Sequence, residues 1–232
     1  MKQPAQSIHV AGVIDLAEAQ LLIDCGIRNL GFPLVLNHHK EDLTIDAAAA
    51  IVSKLGDRAT FFLITYLDKA EAIVDLCRAL SVEMVQLHGE TSLEQIELLR
   101  AKAPNLKIIK SLIVRSDNTD DLVDEVQRYG PSVDSFITDT FDPSTGASGA
   151  TGKVHNWRIS RRLVEASAKP VILAGGLSAT NVQQAICAVQ PAGVDVHTGV
   201  EGPDGRKSRE LITRFIEETH AGFCDIATVR KG

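Results

Sequence analysis

The chain has 232 residues, 44% hydrophobic and 23% charged, an ordinary globular composition at a length that α/β barrels reach as one domain. Its net charge of -6 is offset by no strongly basic stretch, so a nucleic-acid backbone is repelled over most of the surface and no such partner is expected. No window reaches the ~18 apolar residues of a membrane span and MKQPAQSIHV holds too short an apolar run for a signal peptide, so a cytoplasmic protein without membrane contact is expected.

Taken in order, short apolar runs alternate with amphipathic ones. After a tail over residues 1–7, a strand over Ile8 to Ala11 precedes a helix over Leu16 to Cys25, and a strand over Asn29 to Phe32 precedes a helix over Ile45 to Leu55. The pattern predicts strands at Thr60 to Thr65 and Met84 to Leu87, followed by helices at Lys69 to Leu80 and Leu93 to Ala103. Next come the strand Leu106 to Leu112 with the helix Thr119 to Tyr129, and the strand Ser135 to Thr138 with the helix Ile159 to Ala166. The strands Pro170 to Leu173 and Val194 to His197 lead into helices at Ala179 to Val189 and Ser208 to Thr219, with residues 221–232 as a second tail. Cys25, Cys77 and Cys187 fall on helix faces and Cys224 in that tail, so no pair has metal-ligand or redox spacing and all four read as reduced packing residues.

Eight strand and helix pairs at a spacing of about thirty residues predict a single-domain (β/α)₈ barrel, the TIM barrel. The competing doubly wound sheet lacks its glycine fingerprint, since GVIDLA after Ala11 does not match G-x-G-x-x-G. One glycine-rich stretch, Ser144 to Gly152, reads as a long loop on the catalytic face. In such barrels the chemistry gathers at the carboxyl ends of the strands. There the seventh strand runs into Ala174-Gly175-Gly176-Leu177 and the eighth into His197-Thr198-Gly199-Val200-Glu201. Glycines admit a ligand close to backbone N–H groups, and helix N-termini carry partial positive charge, so Gly175, Gly176, Thr198 and Gly199 form the expected cradle for the phosphate of a small molecule.

At these residues the chain resembles phosphoribosylanthranilate isomerase, which performs an Amadori rearrangement in tryptophan biosynthesis. The resemblance rests on GIRNLGF (26–32), VQLHG (85–89), ITDT (137–140), LAGGL (173–177) with Asn181-Val182, and GVDVHTGVE (193–201), and it runs from Ile8 to about Ile216. It implies that Asp139 is the general acid that protonates the furanose ring oxygen. It also implies a cysteine base in a K-x-C-G segment ending the first strand, which removes the C2′ proton. The segment here is His9-Val10-Ala11-Gly12, so Ala11 leaves the base position vacant and His9 stands for the lysine. An arginine that grips the anthranilate carboxylate has Lys40 as its nearest equivalent, within Asn37-His38-His39-Lys40, and a lysine lacks the bidentate fork. The family's FDW is altered to His155-Asn156-Trp157.

These departures fall on the proton-abstracting and substituent-binding side, whereas the phosphate side and the acid are retained. Side chains alternate along a strand and the eighth strand pairs with the first, so His197, level with Ala11, is the candidate replacement base, with Asp195 one layer deeper to orient it. His9, Lys40, Gln86, His88 and Asp195 are the expected substrate-binding residues. His38 and His39 read as a solvated loop, and neither a metal nor a cofactor is expected. The expected activity is an isomerase acting on a ribose-type sugar phosphate, with anthranilate or another amine as aglycone. Two alternatives stay open: a phosphosugar epimerase or lyase, for which Lys110 is the Schiff-base candidate, and a non-catalytic protein that binds a phosphorylated metabolite. A homodimer is among the assemblies the sequence allows.

Overall fold

The computed structural model describes residues 6–36, 43–142, 147–148 and 154–229. The elements in order are β1 (Ser7–Ala11), α1 (Leu16–Asp24), β2 (Asn29–Pro33), α2 (Ile45–Leu55), β3 (Thr60–Thr65), α3 (Ala70–Leu80), β4 (Met84–Leu87) and α4 (Leu93–Lys102). They continue with β5 (Lys107–Val114), α5 (Thr119–Tyr129), β6 (Ser135–Asp142), α6 (Trp157–Ala166), β7 (Val171–Leu173), α7 (Val182–Val189), β8 (Gly193–Val196) and α8 (Arg209–Val229). Every strand pairs in parallel with its neighbours in sequence, and β8 pairs with β1, so the sheet closes into the expected (β/α)₈ barrel.

Alternation along each strand divides the apolar residues into two cores. Outward residues such as Leu30, Leu63, Val85, Ile108, Phe136 and Val194 join the helices in one large cluster. Inward, Ile109, Ile137, Ile172 and Ala174 pack together, Ala11, Phe62 and Ile64 make a second group, and Met84 touches both. The barrel is thus filled below and becomes polar toward the carboxyl end. Side-chain caps start several helices where the sequence offers an acceptor: Asp15 for α1, Thr44 for α2, Ser92 for α4 and Asn156 for α6.

Several boundaries differ from the sequence reading, three of them by more than a residue or two or near the site. The C-terminal helix does not stop at Thr219 but runs to Val229, because Phe223 and Ile226 are buried. Gly222, which weakens a helix in isolation, lets α8 approach the Gln183 backbone and Ile186 of α7 closely. Residues 221–229 are therefore helix rather than tail, Cys224 is an exposed helical residue, and Ser7 already belongs to β1. Strand β6 continues to Asp142, where Phe141 and Asp142 pair antiparallel with Ala147–Ser148, inside the expected long loop, the rest of which lies outside the described residues. Helix α7 begins at Val182, since the Asn181 side chain accepts from the Ser178 N–H and donates to the Gly176 carbonyl, holding residues 178–181 in a turn. Among the described residues, no helix is long and apolar enough to cross a membrane.

Candidate active site

Two glycine loops meet at the carboxyl end of β7 and β8. Gly175 and Gly176 have φ of +99° and +62°, a left-handed pair that turns successive backbone N–H groups to one side. A Cβ on Gly175 would collide with Thr140 Oγ1, and one on Gly199 would fall well inside contact with the Leu177 carbonyl oxygen. Only glycine permits either approach. Thr198–Val200 form a single 3₁₀ turn, with Thr198 exposed and Gly176 partly so, which leaves the junction open to a ligand.

The β8 loop is braced from beneath. Lys207 is fully enclosed and donates to the His197 carbonyl (3.1 Å) and to Glu201 Oε1 (2.6 Å). Its own backbone N–H donates to Glu18, which also accepts from Ile14, so the brace joins the loop to the start of α1. Asp15 and Arg206 pair across the same seam.

The polar residues of the barrel mouth converge from β1, β3, β4, β5, β6 and β8. Asp139, near the end of β6, accepts from the Thr140 N–H at 2.7 Å and is recessed among protein atoms. Burial raises its proton affinity, while the His88 charge and the Thr140 hydrogen bond pull the other way. Tyr66, just past β3, is pushed up to about 12 by burial and then by the Asp139 charge, and its ring meets that of His88 edge-on at 4.8 Å. His88 Nδ1 and Gln86 Nε2 both reach Ser111 Oγ, at 3.1 and 3.2 Å. On the other side, Asp195 is pushed up to about 8, foremost by burial, then by Asp139, against the pull of Lys207. His9, opposite Asp195 in the β1–β8 register, tilts against Phe62 and is held neutral by burial, its pKa lowered to about 4.

The structure therefore gathers Asp139, His88, Gln86, Asp195, His9 and Ala11 inside the mouth. His197 stands beside Gly12, the residue after Ala11. Strand β8 ends at Val196, and at His197 the backbone leaves extended geometry, with φ of -121° and ψ of -88°, so alternation no longer sets the direction of the ring. The imidazole packs on Gly12, whose φ of +75° and missing Cβ make room for it, and the carboxylate found beside Nε2 is Glu201, at 3.5 Å. Lys110 lies on the outer face of β5, where its amine bonds the Gly89 and Ser111 carbonyls and sits over the Tyr129 ring, so it offers no amine to the barrel interior. Asn37 to Lys40 lie outside the described residues. In the altered FDW segment, His155 links Thr140 Oγ1 (2.8 Å) to Ser160 Oγ (2.6 Å) beside Gly175, and Asn156 caps α6. Sequence reasoning missed Ser111, Tyr66 and Lys207; alternation from Ile109 was the available signal for Ser111.

An eight-stranded parallel barrel with its titratable groups gathered at the carboxyl end defines an enzyme of the (β/α)₈ class. Residues 57–218 match the family model described as N-(5′-phosphoribosyl)anthranilate isomerase. The chain is 35% identical over 218 residues to N-(5′-phosphoribosyl)anthranilate isomerase 2 of Methanosarcina mazei, covering 93% of this chain and 95% of that one. It is 30% identical over 210 residues to the isomerase of Halorubrum lacusprofundi, covering 90% and 94%. Among solved structures it superposes on phosphoribosyl anthranilate isomerase of Thermotoga maritima with a TM-score of 0.78 and 25% identity, over 93% of this chain and 98% of that one. The chain belongs to the N-(5′-phosphoribosyl)anthranilate isomerase family. Ala11 and Lys40 precede the span that the family model matches.

Proposed function

We propose that this protein catalyses the Amadori rearrangement of N-(5′-phosphoribosyl)anthranilate in tryptophan biosynthesis, in the cytoplasm. The observation that carries this reading is Asp139, which holds the family's acid position with a raised proton affinity and faces the other polar residues of the mouth. A carboxyl whose burial raises its proton affinity is better suited than an ordinary one to protonate the furanose ring oxygen. The backbone N–H groups of Gly175, Gly176, Thr198 and Gly199 hold the phosphate, which leaves the sugar between the cradle and Asp139. Gln86, His88, Asp195 and His9 line the space around it, and Lys40, outside the described residues, is the residue the resemblance assigns to the anthranilate carboxylate. A related isomerase has been solved with reduced 1-(o-carboxyphenylamino)-1-deoxyribulose 5-phosphate, a ligand that would fill this same space, and the isomerase of Thermotoga maritima is dimeric, an assembly we extend to this chain.

The test is turnover of N-(5′-phosphoribosyl)anthranilate, followed by its fluorescence, together with calorimetry of ribose 5-phosphate and ribose. Turnover and a clear preference for the phosphorylated sugar are expected. A specific observation, the methyl group of Ala11 where the family has its base, favours one second reading, a non-catalytic binder of a phosphorylated metabolite. Phosphate-dependent binding without any turnover would establish that reading.

A further inference from the structure

If the protein is an isomerase, as the preceding reading has it, some group other than residue 11 removes the C2′ proton. The apolar residues packed against Ala11 are Phe62, Ile64 and Met84, which accept no proton, and the His197 imidazole lies against the adjoining Gly12. One layer below, β1 and β8 set His9 opposite Asp195, and both side chains lie inside the barrel. Asp195 Oδ1 and His9 Nδ1 are buried without a hydrogen-bond partner, an uncommon state for polar atoms that here occurs twice in one layer. Across the cavity, Asp139 is close enough for its charge to act on Asp195. Two carboxyl groups thus face the barrel interior from β6 and β8.

We propose that Asp195 is the general base of this enzyme and that it takes the C2′ proton on Oδ1 while Asp139 supplies the acid. Asp139 gives its proton to the ring oxygen as the C1′–O bond breaks and the nitrogen lone pair forms the C1′=N bond. The C2′–H bond then breaks, its electron pair forms C1′=C2′, the C1′=N π pair returns to nitrogen, and the proton passes to Asp195. Asp139 ends ionised and Asp195 protonated, so charge is conserved, and the enol formed on the sugar ketonises.

The surroundings make Asp195 a strong base for a carboxylate. The charged groups that act on it are Asp139 from β6 and Lys207 after β8, and His9 stands opposite it on β1. His9 brings no charge because burial keeps it neutral, and Lys207 is already engaged by Glu201. A carboxylate whose proton affinity lies near neutrality abstracts protons far better than an ordinary solvated one. His197, on the rim against Gly12 and Glu201, is the rival candidate.

The experiment compares Asp195→Asn, and Asp195→Asn combined with Ala11→Cys, with the unmodified enzyme. Turnover of N-(5′-phosphoribosyl)anthranilate and calorimetric binding of ribose 5-phosphate are the two readouts. Asp195→Asn is expected to lower kcat by about 10²- to 10⁴-fold with affinity kept within about threefold, and the added thiol to recover at least about tenfold. An unchanged kcat overturns the assignment, as does loss of ribose 5-phosphate binding in step with turnover. The pH profile of the unmodified enzyme covers a variant that does not fold: kcat climbing through about pH 8 supports Asp195, whereas a limb near the ordinary histidine value of ~6.5 assigns the base to His197 and overturns it. An unmodified enzyme that binds ribose 5-phosphate but never turns over sinks the isomerase reading itself.

Discussion

Gly199→Ala tests whether the two glycine loops act as one anion site. A Cβ at this position would enter the Leu177 carbonyl oxygen, a backbone atom that no rotamer change moves aside. A comfortable carbon–oxygen approach is about 3.3 Å, so the β7 and β8 loops must part by about an ångström or more. Hydrogen bonds to a charged group lose most of their strength over such a displacement, and each is worth about 1.5–3 kcal/mol. Losing one or two therefore predicts a fall in phosphate affinity of about 10- to 100-fold or more, with the barrel still folded because β7 and β8 themselves are untouched. Isothermal calorimetry with ribose 5-phosphate measures it, with a urea melt as the control for folding. Affinity unchanged within about twofold, in a folded variant, would refute the convergent-loop cradle.

Asp139→Asn should lower kcat at least about 100-fold while ribose 5-phosphate binding stays within a few-fold, since the acid acts mainly in the transition state; steady-state kinetics with near-normal turnover would contradict it. Lys207→Met strands the Glu201 carboxylate, and breaking such an enclosed pair costs about 3 kcal/mol, or roughly 6–12 °C in Tm for a domain of this size; a calorimetric shift under about 2 °C would count against the brace. Asp195→Asn changes the pH dependence of stability. The folded pKa of about 8 lies above the ordinary carboxylate value of 3.8, so the folded chain keeps a proton that the unfolded chain releases, and its stability falls as pH rises between these values. The variant lacks this penalty and should gain on the unmodified protein from pH 5 to pH 8; urea unfolding that shows the gap constant or reversed would remove Asp195 from its assigned charge state.

Most of the barrel was legible because its periodicity is strong: β3, β4, α2 and α5 fall on the boundaries that the apolar pattern predicts. The boundaries that moved are those where tertiary packing outweighs local preference. The last helix, read to Thr219, runs on because α7 accepts the close approach of Gly222, and Ala179 to Asn181 read as helix until Asn181 turns back on Gly176. In the site, alternation sufficed for residues within strands, such as Asp195 and Gln86, and sets no direction one residue past a strand end. His197 is the clear case, because its own backbone has already turned. The face of Lys110 follows from the same alternation that turns Ile109 and Ser111 inward.

Three of the changes that set this chain apart from its family pattern, at positions 9, 11 and 197, share one seam. His9, Ala11 and Gly12 are on or just after β1, and Asp195 and His197 are on or just after β8, the strand paired with it. The family resemblance puts a lysine at position 9, opposite Asp195. An ammonium group there would hold the aspartate ionised and make it a weak base, and a cysteine at position 11 would then be required. A buried, neutral His9 withdraws that charge, so Asp195 binds its proton more tightly and gains basicity just where the thiol is missing. The two substitutions offset each other in chemical terms, which neither does alone. His9→Lys should consequently reduce turnover sharply with Ala11 in place and much less in an Ala11→Cys background. Equal losses in both backgrounds would show that residue 9 acts through packing and not through the charge it presents to Asp195.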